Sequence, residues 1–170
     1  MTQRRTVLAA GLASTLGAAL AGCASTGAGS GWVTLVDGAT ITNLNGFTPL
    51  GEGNWSITEG TLQGKNGKLG YLVTKDSYTN FEIRAEFWAD EPANSGIFIR
   101  CQDRNKVGAD NAYEVNIFDK RPDPSYGTGS IVYFAEVNPM PKAAGKWNTF
   151  EITADGRHLG FQDVSKMDGI

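Results

Sequence analysis

The sequence predicts an all-β fold, a sandwich or barrel of short strands, on three observations. No window holds an apolar repeat of 3.6 residues, so no helix is expected. Short apolar or alternating runs recur instead, parted by glycines and by Asp-Gly and Glu-Gly turns. The longest, Asn80–Ala89, alternates without a slip: Phe81, Ile83, Ala85 and Phe87 face one way, Glu82, Arg84, Glu86 and Trp88 the other.

Taken in order, Trp32–Val36 reads as a short strand ended by Asp37-Gly38. Asn54–Thr58 turns at Glu59-Gly60 into Thr61–Gln63, and Tyr71–Thr74 follows. After Asn80–Ala89 come two strands within Asn94–Asp119, then Ser130–Ala135 and Trp147–Ala154. Trp32, Trp55, Phe81, Phe87 and Trp147 read as packing aromatics, while Trp88, on the outward parity, is ambiguous. Thr149–Thr153 and Asp155-Gly156 promise a return strand that dissolves after Leu159, which would leave an edge unpaired.

The first 22 residues read as an export signal. Arg4 and Arg5 precede an apolar run from Val7 to Leu20, shorter than the about 20 residues a spanning helix needs. Leu20-Ala21-Gly22-Cys23 resembles a bacterial lipobox, in which Cys23 carries the lipid and becomes the mature N-terminus. Arg4-Arg5-Thr6-Val7-Leu8 resembles a twin-arginine signal. The exported protein is then anchored to a bacterial membrane, facing the periplasm or exterior, through Cys23 and a small-residue tether at 23–30. Residues 31–170 leave room for a single domain. Removing residues 1–22, with two arginines and no acid, moves the formal net charge from −3 to −5. No basic run remains, which argues against nucleic acid as a partner. Cys101 then has no partner for an internal disulfide and reads as core filler beside Ile97 and Ile99.

The informative stretch is Asn94–Asp119, NSGIFIRCQDRNKVGADNAYEVNIFD. In its first strand Ile97, Ile99 and Cys101 share one side, and Phe98, Arg100 and Gln102 the other. In its second, Val115 and Ile117 alternate with Glu114 and Asn116. One face then belongs to a core, and the other carries a guanidinium, a carboxylate and amides beside Phe98 and Phe118. That residue mix points to a ligand groove, against the plainer reading of a polar outer face. Asn94-Ser95-Gly96 begins the first strand where glycine permits close approach. Arg121–Gly129, RPDPSYGTG, is a loop carrying Tyr126 and placed to cover the groove.

Trp32–Gly38, Trp55–Leu62, Asn80–Phe87, Asn94–Arg100, Tyr113–Asp119 and Gly145–Ile152 occur in that order. Together they resemble the 3-keto-disaccharide hydrolase domain family, over about Trp32–Thr153. The resemblance implies a concanavalin A-like jelly-roll of two antiparallel sheets. The family continues past an Asn-Gly turn into further strands, so the C-terminal strands are expected to be missing here.

The resemblance also implies action on sugars whose 3-hydroxyl has become a ketone. Such a ketone acidifies the C2 hydrogen, so a base can form an enolate whose collapse expels the C1 substituent; water then adds back. Glu114 is the candidate base and Arg100 the candidate clamp for the enolate oxygen. Asp119 joins them only if the strand bulges or ends near Phe118. Asn94, Phe98, Gln102, Asn116 and Tyr126 are candidate sugar contacts. A structural Arg100–Glu114 ion pair is the bland alternative. No cofactor is expected, although a divalent metal on Glu114, Asp119 and His158 is conceivable.

Two rival functions use the same groove. Glu114–Asp119 resembles a degraded E-x-D-x-x-E strand of retaining β-glucanases, which need two carboxyls about 5–5.5 Å apart. A non-catalytic carbohydrate-binding module would stack sugars on Phe98, Phe118 and Trp88. Jelly-rolls serve both purposes, so fold does not choose.

Overall fold

The computed structural model describes residues 5–9 as backbone, and residues 31–65 and 68–156 in full. Cys23, the tether at 24–30, His158 and the expected return strand lie outside the described residues. The strands are β1 (Arg5–Ala9), β2 (Phe47–Gly51), β3 (Trp55–Thr58), β4 (Thr61–Lys65), β5 (Gly70–Thr74), β6 (Phe81–Ala89), β7 (Ser95–Ile99), β8 (Tyr113–Ile117) and β9 (Trp147–Ala154). No helix occurs among the described residues. A five-stranded sheet runs in the order β3-β4-β1-β6-β9, and β2-β5 and β7-β8 form two further two-stranded sheets. Every pairing is antiparallel, as a jelly-roll β-sandwich requires.

The core lies between β6-β9 and β7-β8, and strand parity selects it. Phe87 and Ala89 of β6 and Phe150, Ile152 and Ala154 of β9 meet Ile99 of β7 and Val115 and Ile117 of β8. Phe87 and Phe150 pack with ring centroids 4.6 Å apart, each burial contributing about 1.5–3 kcal/mol. Because these residues hold the inner parity of β7 and β8, Gly96, Phe98, Glu114 and Asn116 are left on the outer one.

Several sequence expectations need correction. Trp32–Val36 forms no strand; Trp32 is 46% exposed and lies under the Arg84 guanidinium, 5.0 Å from its ring. Strand β2 was hidden by Pro49, whose lack of an N–H argues against a strand interior. It is accommodated in a two-stranded pair whose other member is β5. Trp147 is exposed, not core, because β9 gives its inner parity to Asn148, Phe150, Ile152 and Ala154. The Asn148 amide is satisfied inside by the carbonyls of Ala143 (2.8 Å) and Lys146 (2.9 Å). Ser130–Ala135 is not a strand but a tight turn, bridged between Ile131 and Ala135.

Arg5–Ala9, which the sequence reading gives to the export signal, forms β1 in the middle of the five-stranded sheet. It pairs Leu8 with both Leu62 of β4 and Phe87 of β6. Ladder bonds are made by main chain, so a slot between two strand edges accepts an extended segment largely irrespective of its side chains. Processing ahead of Cys23 would remove this strand and leave the facing edges of β4 and β6 unpaired.

Candidate functional site

The outer face of β7-β8 is built from its register. Phe98 stands directly opposite Glu114, and Gly96 opposite Asn116. On the far edge of β8, the amide of Val132 donates to the Glu114 carbonyl (3.0 Å) and the amide of Asn116 donates to the Ser130 carbonyl (2.9 Å). Glu114 is thus flanked on both sides by main chain.

Gly96 explains how the Glu114 side chain lies across this face. A Cβ at position 96 would stand 2.9 Å from Glu114 Cγ, Glu114 Oε1 and the Val115 carbonyl. The Asn94-Ser95-Gly96 signal was visible in the sequence; what approaches the glycine was not. On the other flank Phe98 meets Tyr71 of β5 edge-on, with centroids 5.4 Å apart.

Glu114 has no hydrogen-bond or ion-pair partner for its carboxylate among the described residues. Burial alone pushes its pKa from 4.5 up to about 7, because a half-desolvated carboxylate with no donor favours its neutral form. The pKa of Tyr71 is raised as well, first by burial and then by the negative charges of Glu114, Asp110 and Cys101. At neutral pH the face therefore offers a carboxyl poised between its two forms beside a protonated phenol.

Arg100 makes no hydrogen bond or ion pair with Glu114 or Tyr71 among the described residues, and its Nε and Nη2 are buried without a partner. Its φ of 53° places it in the left-handed region, ending β7 at Ile99 and breaking the alternation that the sequence continues. Its Nη1 donates to the Thr79 carbonyl (2.9 Å), and its guanidinium lies 5.7 Å from the Phe81 ring centre. No ion pair links it to Glu114 among the described residues, which removes the structural-pair alternative too. Cys101, beyond the break, leaves the core and donates its thiol to the Asp103 carbonyl (3.1 Å).

Asp119 is also elsewhere. Its Oδ2 accepts from the amides of Ala143 and Ala144, both at 2.7 Å, and its Oδ1 from the Thr128 hydroxyl at 2.7 Å. Strand β8 ends at Ile117, and the chain then turns Asp119 onto the segment that leads into β9. Asn116 is on the outer face but buried; its Nδ2 donates to the Tyr126 carbonyl, tying the loop Arg121–Gly129 down, while its Oδ1 has no partner. Ser130, fully buried opposite Asn116, likewise has an unpartnered Oγ. Asn94 and Gln102 are exposed at the ends of β7. Among the described residues no cluster of His, Cys, Asp and Glu is placed to hold a metal. Tyr71 and Ser130 were missed as site residues, since their approach to the Glu114 face, through the Tyr71–Phe98 ring contact and the Asn116–Ser130 hydrogen bond, has no local signature.

Residues 31–164 match the family described as the 3-keto-alpha-glucoside-1,2-lyase-like domain. The chain belongs to that family. It is also 26% identical to a 3-keto-disaccharide hydrolase of Bacteroides thetaiotaomicron, in an alignment covering 72% of this chain and 52% of the relative. The chain therefore spans about half the length of the curated relative it matches. No solved structure matches it. Of the described strands, β1 alone lies outside the residues matched to this lyase-like domain, whereas the Glu114 face is wholly inside them.

Proposed function

We propose that this domain cleaves 3-keto-glycosides, with Glu114 as the base that removes the C2 proton. The observation that carries this reading is the carboxyl itself: half-buried, without a partner among the described residues, and pushed up to about 7. A base titrating near neutrality combines sufficient basicity with an available ionised fraction. Removal of the C2 proton sends the C–H electrons toward C3 as an enolate. Their return expels the C1 oxygen and leaves a C1–C2 double bond conjugated with the ketone. The leaving oxygen takes up a proton, water adds its oxygen at C1, and C2 regains a proton, giving net hydrolysis.

Tyr71, a protonated phenol within electrostatic reach of Glu114, takes the part the sequence reading gave to Arg100. It is the hydrogen-bond donor to the enolate oxygen. Its raised pKa keeps the proton in place at neutral pH, which supports a donor role. A retaining glycosidase has less support, because that chemistry needs a second free carboxyl near the first. Here the intervening position is Asn116, and Asp119 is bonded elsewhere.

The test is hydrolysis of a 3-keto-disaccharide in D2O. Wild type is expected to yield sugar carrying one solvent deuteron at C2, and Glu114→Gln to lose both cleavage and enzyme-dependent C2 exchange. Cleavage by wild type without deuterium at C2 would contradict the elimination route.

A further inference from the structure

We infer that Tyr133 is the platform for the second sugar of the substrate, the one expelled from C1. The inference rests on the 3-keto-glycoside reading and deepens it. Its first support is backbone geometry. Tyr133 has φ of 70°, in the left-handed region that a bulky L-residue adopts only when its surroundings hold it there. The turn holds it: Ile131 and Ala135 exchange both main-chain hydrogen bonds at 2.9 Å, so the three residues between them are closed into a tight tip.

The second support is what that conformation presents. The Tyr133 side chain is 69% exposed, yet its ring is propped edge-on by Tyr126, with centroids 5.8 Å apart. Tyr126 is itself backed by the Arg121 guanidinium, 3.6 Å from its ring centre. A strained, exposed aromatic braced from behind is a poor contribution to stability and a good surface for stacking. The C–H face of a pyranose fits an aromatic face, and the phenol tip can meet its hydroxyls.

The third support is position. The turn is hydrogen-bonded to the free edge of β8 through Val132, at Glu114 itself. Neighbouring strands lie about 4.8 Å apart, so Val132, the residue before Tyr133, sits one such spacing from the Glu114 backbone. On the opposite edge of β8, Phe98 and Tyr71 form another aromatic pair. The β8 backbone at Glu114 thus has an aromatic pair on each edge, Phe98 with Tyr71 on one and Tyr133 with Tyr126 on the turn bonded to the other, which suits a bond that joins two rings. The oxidised ring sits against Tyr71 and Phe98, and the leaving sugar against Tyr133.

The test compares kcat/KM for a 3-keto-disaccharide with that for a methyl 3-keto-glucoside, whose leaving group has no ring to stack. Tyr133→Ala and Tyr133→Gly are expected to lower the disaccharide-to-methyl ratio by two- to tenfold, while Tyr133→Phe retains it. Glycine relieves the left-handed strain, so Tyr133→Gly is expected to hold or raise Tm while still lowering the ratio. A merely structural Tyr133 would not divide stability from specificity in this way. An unchanged ratio in the alanine and glycine variants would overturn this inference alone. Failure of wild type to cleave either substrate would overturn the 3-keto-glycoside reading and this inference with it.

Discussion

Glu114 and Asp119 stand near the two ends of β8, and the molecule treats them in opposite ways. Asp119 is saturated: two backbone amides and a hydroxyl bond its two oxygens, and they pin the segment before β9. The Glu114 carboxyl is half-buried with no bonding partner among the described residues, and a glycine has been placed where any side chain would collide with it. A carboxylate whose oxygens are taken up by several hydrogen bonds ties chain segments together and serves the fold. One left dry and unbonded is destabilised in its charged form, and the protein tolerates it for what the carboxyl can do.

The largest effect expected from this contrast is on rate. Glu114→Gln should lower kcat on a 3-keto-disaccharide by about 10²- to 10⁴-fold, the usual worth of a general base, with no loss of Tm. Asp119→Ala should do the reverse. Chemical denaturation should show a loss of about 2–4 kcal/mol, since the part-buried amides of Ala143 and Ala144 lose their acceptor, with a folded remnant that still cleaves substrate. If instead Asp119→Ala stays fully stable but loses turnover, the division of labour between the two acids is wrong. A smaller effect is expected from Gly96→Ala, whose added Cβ must push Glu114 aside: about a tenfold fall in kcat/KM and a cost of about 1 kcal/mol.

How much of this was legible in the sequence depends on how local each signal is. Alternation along Phe81–Ala89 and at Val115 and Ile117 gave the core faces directly, because period-two patterning is a property of a few neighbouring residues. The same rule placed Glu114 and Asn116 outward. It failed at Arg100, where a left-handed residue ended the strand in a run whose pattern still alternated. It failed at Trp147, where parity favoured a buried Asn148 that no local signal marks as inward. Asp119 could not be assigned because its partners, Ala143 and Ala144, lie far along the chain. Tyr71 and Tyr133 carry no local signature: Tyr71 meets the Phe98 ring from another two-stranded sheet, and Tyr133 sits on a turn bonded to β8 through Val132.

The titration of Glu114 tests the central claim most directly. The folded protein holds this proton more tightly than the unfolded chain does. The stabilisation Glu114 gives is therefore complete below pH 4.5 and is lost as pH rises to about 7. Observed by carbon NMR of its side-chain carboxyl, with Glu114→Gln to assign the signal, Glu114 is expected to titrate at about 7. A midpoint at the ordinary 4.5 would mean a solvated or bonded carboxylate, and would contradict the account of Glu114 as the poised base.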